Sequence, residues 1–289
     1  MDFQAEYVVL FDRVQIRYYG IIIVMAMLIA AYVASRLAKR AGMDSEHVWG
    51  GLTWAIIPAI VLARLWFILF PPAALVAQGQ DTAWFFQNFF NLQNGAIAIW
   101  SGGLSIFGAV LGGFLGAYVY IRRNKLPLLP WLDIAGIALP LGQAIGRLAN
   151  FVNQELYGTP TALPWGISID ANHRVEPYRS LVDYPVASTR FHPLFLYEAI
   201  WNVGAFLILS YLFTRKRNSF KPGDFFLLYV IQYSFVRFML EFIRVEVSLV
   251  GGVNWSQVVT GIAFVVALII FIYRHRPAAS TVTTTAPQG

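Results

Sequence analysis

"IAGIALPLGQAIGRLANFVNQELYG", residues 134–158, begins as a lipid-compatible helix and ends in Arg147, Asn150, Asn153 and Glu155. Charge and amides at the end of an apolar run are costly in hydrocarbon, so they must look into protein or water and mark a functional site by default. The rest of the chain supports lipid as the solvent. Of 289 residues, 58% are hydrophobic and 12% charged, with a mean hydropathy of +0.60. A soluble domain carries roughly twice that share of charge. There is no cysteine, which excludes disulfides, thiolate metal sites and an enzyme-borne thiol nucleophile.

Seven stretches approach the roughly 20 apolar residues that cross a bilayer, approximately 18–36, 48–70, 97–121, 128–151, 193–213, 224–243 and 254–273. The expected fold is therefore an all-α integral membrane protein of seven transmembrane helices. The first segment reads as a retained helix, because Asp2 and Glu6 replace the basic leader of a cleavable signal. Basic residues follow the first, third, fifth and seventh segments (Arg36, Lys39, Arg40; Arg122, Arg123, Lys125; Arg215, Lys216, Arg217, Lys221; Arg274, Arg276), whereas 71–95 has no Lys or Arg. The positive-inside rule then puts the N terminus outside and the C terminus in the cytoplasm. On this reading the net charge of +6 is cytoplasmic caps and implies no nucleic acid.

Residues 1–276 are expected to form one membrane domain and 277–289 a disordered cytoplasmic tail. The longest connection, about 153–192, reads as a small ordered extracytoplasmic head, and the aromatic stretch 81–94 as an interfacial helix or loop. Gly108, Gly112 and Gly116 form a small-residue stripe suited to close helix packing. His47 and His275 are read as solvated helix-end residues, and His192 as a cap on the fifth segment in preference to a substrate contact.

With this topology the buried polar residues gather at the outer leaflet. Tyr233, Arg237, Glu241 and Arg244 are separated by four, four and three residues and share one helix face, as do Arg147 and Asn150. Arg17, Arg64, Arg147, Arg237 and Arg244 outnumber Glu155, Glu198 and Glu241, which predicts an anion site. Guanidinium forks suit phosphate, and the abundant anion at that depth is a phospholipid headgroup. A single Arg–Glu pair is equally well read as an internal tie; the excess of arginine argues for more. A lipid transporter or flippase, or an inactive structural homologue, remains an alternative at this point.

Five motifs carry a resemblance: "RYYG" (17–20), "GGLSIFGAVLGG" (102–113), "GRLANFVNQELYG" (146–158), "HPLFLYEA" (192–199) and "YSFVRFMLEFIR" (233–244). In content and order they resemble the bacterial prolipoprotein diacylglyceryl transferase family over nearly the whole chain. The resemblance implies a multi-pass protein of the bacterial inner membrane, with its site toward the outer leaflet. It would move the diacylglyceryl group of phosphatidylglycerol to the lipobox cysteine thiol of a preprolipoprotein signal peptide, releasing glycerol phosphate, with no metal and no cofactor. It implies catalytic roles for Arg147, Arg237, Glu155, Glu241 and Tyr233. Substrate contacts would come from Tyr19, Asn150, Asn153, Gly158, Gly102, Gly103, Tyr197, Glu198, Arg244 and Arg17. Arg147 and Arg237 would bind the phosphodiester, while Glu155 and Glu241 would hold the arginines and could take the thiol proton. Phe107 stands where many members carry a histidine, which leaves the base unnamed.

Overall fold

The structure, a computed structural model, describes residues 7–10, 14–247, 249–250 and 252–276; the tail expected at 277–289 lies outside them. Nine α-helices occur among the described residues: α1 Tyr18–Arg40, α2 Glu46–Leu69, α3 Ala73–Val76, α4 Thr82–Gln87, α5 Ile106–Arg123, α6 Leu128–Val152, α7 Leu194–Lys216, α8 Asp224–Leu240 and α9 Trp255–Arg274. Two short hairpins accompany them, Tyr7–Leu10 with Val14–Arg17 and Leu249–Val250 with Val253–Asn254. The chain divides into two compact units, residues 29–134 and residues 1–28 with 135–289.

Among the described residues, five helices are long and apolar enough to cross a membrane: Tyr18–Arg40, Glu46–Leu69, Leu128–Val152, Leu194–Ser219 and Trp255–Arg274. The other two expected spans are shorter helices. The segment expected from residue 97 makes only a 3-10 turn at Ile99–Ser101 and becomes α-helical at Ile106, because Gly102 and Gly103 take positive φ of 92° and 70° and break the path. The segment expected to run to 243 leaves the helix after Leu240. At 18 and 17 residues, α5 and α8 are about 27 and 25 Å long, just under a hydrocarbon core of about 30 Å. Large apolar side chains such as Ile57, Val110 and Ile262 are exposed, a surface suited to lipid.

In the unit 29–134, α2 packs on α5 through the glycine stripe. A Cβ on Gly108, Gly112 or Gly116 would stand 2.0, 2.1 or 2.3 Å from the carbonyl oxygens of Leu62, Pro58 or Trp54. The stripe is therefore a packing device, as its spacing predicts. His47 is not solvated: its Nδ1 lies 2.9 Å from Tyr120 Oη, and its ring meets Trp131 edge-on. The aromatic stretch folds as α4, capped by Asp81, whose carboxylate accepts from Trp84 N.

In the other unit, α8 packs along α9, and the two are tied at one end by Asp224. This fully buried carboxylate accepts from Arg274 Nε at 2.9 Å and contacts His275 Nε2 at 2.7 Å, so His275 too is engaged rather than solvated. Residues 153–192 carry a small core of their own. It consists of Tyr157, Ile169 and Phe191, and Arg174 is buried beneath with its guanidinium 5.1 Å from the Phe191 ring. Burial pushes the Tyr157 phenol above its ordinary pKa; its hydroxyl receives Val175 N at 2.8 Å and contacts His173 O at 3.2 Å.

Candidate functional site

The end of α6, the start of α7 and the end of α8 bring the polar residues together in a continuous network. Arg147 donates to Glu198 Oε1 at 2.5 Å and to Asn150 Oδ1 at 3.1 Å. Asn150 in turn donates to Glu155 Oε1 at 2.7 Å. Glu198, 2% exposed, turns its other oxygen to Arg237 Nη1 at 3.6 Å. Arg237 Nη2 reaches Glu241 Oε1 at 2.6 Å, and Arg244 Nη1 reaches the same oxygen at 3.2 Å. Losing one partner of such a buried pair costs about 3–5 kcal/mol, because the other charge stays behind uncompensated.

The side-chain spacing holds where the helix does not. Tyr233 and Arg237 lie within α8, but Glu241 is its C-terminal cap and Arg244 lies beyond the helix, in an isolated antiparallel bridge with Gly158. The i,i+4 and i,i+3 contacts survive because Glu241 keeps helical φ and ψ. Tyr233 stacks on Tyr229 at 5.9 Å between ring centroids and lies against Arg147. Tyr19, at the start of α1, lies close enough to Arg147 and Glu155 for both charges to act on its phenol.

Several expectations need correction. Arg147 is held by Glu198 and Asn150 rather than by Glu155; the carboxylates that hold arginines are Glu198 and Glu241. Arg64 is no anion ligand, since its guanidinium is spent on backbone carbonyls of its own unit: Ala96 at 2.8 Å, Gly95 at 2.6 Å, Gly102 at 2.7 Å and Gly103 at 3.1 Å. Gly102 and Gly103 thus serve that loop. The Arg17 side chain lies outside what the structure describes. The described network then holds Arg147, Arg237 and Arg244 against Glu155, Glu198 and Glu241, so the arginine excess does not appear in it.

Gly158 is tightly packed. Its N donates to His192 O at 2.8 Å, and a Cβ would stand 2.6 Å from Ile243 O. Tyr197 Oη accepts from Trp165 Nε1 at 2.8 Å and lies 3.1 Å from His192 Nδ1, so the imidazole braces Tyr197 instead of capping α7. Asn153 is half-buried where α6 ends, its N bonded to Ala149 O.

Sequence reasoning missed Asn254. It caps α9, accepting from Gln257 N at 3.1 Å, while its amide donates to Glu241 Oε2 at 3.0 Å. The signal was present: an asparagine with glutamine three residues on is the pattern of a helix start.

An array of guanidiniums braced by carboxylates can exchange part of its bracing for a bound oxyanion at low reorganisation cost. Comparison with known proteins gives the array a context. The profile of the prolipoprotein diacylglyceryl transferase family matches residues 7–273. The phosphatidylglycerol–prolipoprotein diacylglyceryl transferase of Chloroflexus aggregans is 39% identical over 95% of this chain and 90% of its own. Enzymes of the same name from Synechococcus elongatus and Thermotoga maritima are each 34% identical, over 95% and 93% of this chain and 89% and 84% of theirs.

Proposed function

The chain belongs to the prolipoprotein diacylglyceryl transferase family, and from that premise we propose that it transfers the diacylglyceryl group of phosphatidylglycerol to the lipobox cysteine of a preprolipoprotein. The observation that carries the reading is the pairing of Arg147 and Arg237 through the one carboxylate of Glu198. Two forks that each face a different oxygen of one carboxylate suit the two free oxygens of a phosphodiester. They offset the charge that grows on the leaving phosphate as the glycerol C–O bond breaks. Sulfur attacks carbon in this reaction, so the guanidiniums act on the leaving group.

Asn150 and Tyr233 orient the headgroup, each already in contact with Arg147. Glu241 keeps Arg237 and Arg244 in register. The protein crosses the bacterial inner membrane seven times, with α5 and α8 completing the five longer spans. The basic ends of α1, α5, α7 and α9 face the cytoplasm, and the network and head face the outer leaflet.

The test is mass spectrometry of a lipobox peptide incubated with the protein and phosphatidylglycerol in liposomes. The peptide gains one diacylglyceryl mass. A peptide of unchanged mass, with protein shown to be folded, overturns the reading.

A further inference from the structure

The three network carboxylates are not equivalent. Glu198 and Glu241 are 2% and 4% exposed and are engaged by guanidiniums on both sides. Glu155 is only half-buried, and its bonded neighbour is the neutral amide of Asn150. Among the described residues no guanidinium forms a salt bridge with it.

The backbone is bent to put it there. Gln154 and Leu156, on either side, take positive φ of 49° and 56°, a region that non-glycine residues adopt at a cost of about 1–3 kcal/mol each. Such strain persists only where the surroundings impose it. Here the head does so: the Gln154 side chain is held at both ends by Asp170, accepting from its N at 2.8 Å and donating to Oδ2 at 2.7 Å. On the other side, Glu155 N donates to Asn150 O at 3.0 Å.

Resting on the transferase reading above, we infer that Glu155 is the general base that takes the thiol proton. The proton passes from sulfur to the Glu155 carboxylate, and the thiolate forms its bond to the glycerol C3 carbon. The C–O bond to phosphate breaks, and its electron pair leaves on glycerol phosphate. The proton then moves to that phosphate or to water. Charge favours this assignment. The described network is balanced at three guanidiniums and three carboxylates, so a bound phosphodiester makes it anionic, and protonating Glu155 offsets that charge without breaking an ion pair. Protonating Glu198 or Glu241 would release the arginines that the leaving group needs.

The experiment compares two lipobox peptides, one with cysteine and one with selenocysteine, whose selenol is already ionised at neutral pH and needs no base. With wild-type protein both gain diacylglyceryl. In Glu155→Gln the cysteine reaction falls by roughly 10²–10⁴-fold in kcat. The selenocysteine reaction stays within about tenfold of wild type, a base no longer being required. Glu155→Asp, which keeps the charge and shortens the reach, gives the same split in milder form. Glu241→Gln slows both peptides alike, because it disturbs Arg237. Equal loss for both peptides in the Glu155 variants, or no loss for either, overturns the assignment and leaves the transferase reading standing. Wild-type protein that modifies neither peptide overturns both.

Discussion

Arg64 and Arg147 both sit late in apolar helices, and the sequence treats them alike. Their surroundings do not. Arg64, in the unit 29–134, gives its donors to four backbone carbonyls. Arg147, in the other unit, gives its donors to a carboxylate and an amide side chain. Carbonyls of a tight loop cannot be exchanged without unfolding the loop, so Arg64 is a staple. Side-chain partners can turn aside when an anion arrives, so Arg147 keeps a reactive future. A buried arginine inside a membrane protein is thus a ligand candidate only after its donors have been accounted for.

The largest test of this contrast is Arg237→Ala. Removing a fork from the shared brace lowers diacylglyceryl transfer by about 10²–10³-fold in kcat, measured in liposomes; near-normal transfer would make the network a structural tie like Arg64. Next is Glu198→Ala, which strands two guanidiniums and lowers stability by about 3–5 kcal/mol, seen as a fall in thermal midpoint in detergent. Arg64→Ala should be a pure stability lesion. Four hydrogen bonds at about 1 kcal/mol each predict a loss of roughly 3–4 kcal/mol. The KM for phosphatidylglycerol of the folded fraction stays unchanged, and a rise would return Arg64 to the binding site. Gly112→Val forces apart α2 and α5 at the Pro58 carbonyl and costs about 1–3 kcal/mol by the same assay. Asn254→Ala is the smallest, about 1 kcal/mol for the lost helix cap, and a drop in activity beyond that would mean its amide matters to Glu241.

Local periodicity carried the readings that proved right. The glycine stripe, the 233–244 ladder and the 147/150 pair all depend on residues three or four apart, where a helix makes neighbours by itself. What escaped depends on distance along the chain. Glu198 lies 51 residues from Arg147, and the carbonyls that consume Arg64 lie 31 to 39 residues beyond it. No spacing rule links them. The late start of α5 escaped for another reason: nothing in an apolar run containing Gly102 and Gly103 says that both will take positive φ. Glu155 was visible as a motif residue, but the strained turn that frees it from the arginines was not.

The sharing of Glu198 also constrains how such a protein can change over generations. Replacing any one of Arg147, Glu198 or Arg237 leaves a charge in the network without its counterpart, so each single step is penalised before a second can compensate. The three positions can be exchanged only together, and substitutions at any pair of them are expected to be strongly non-additive. The trio is expected to change only as a block, while exposed apolar neighbours such as Leu148 and Ile200 should tolerate exchange among apolar residues.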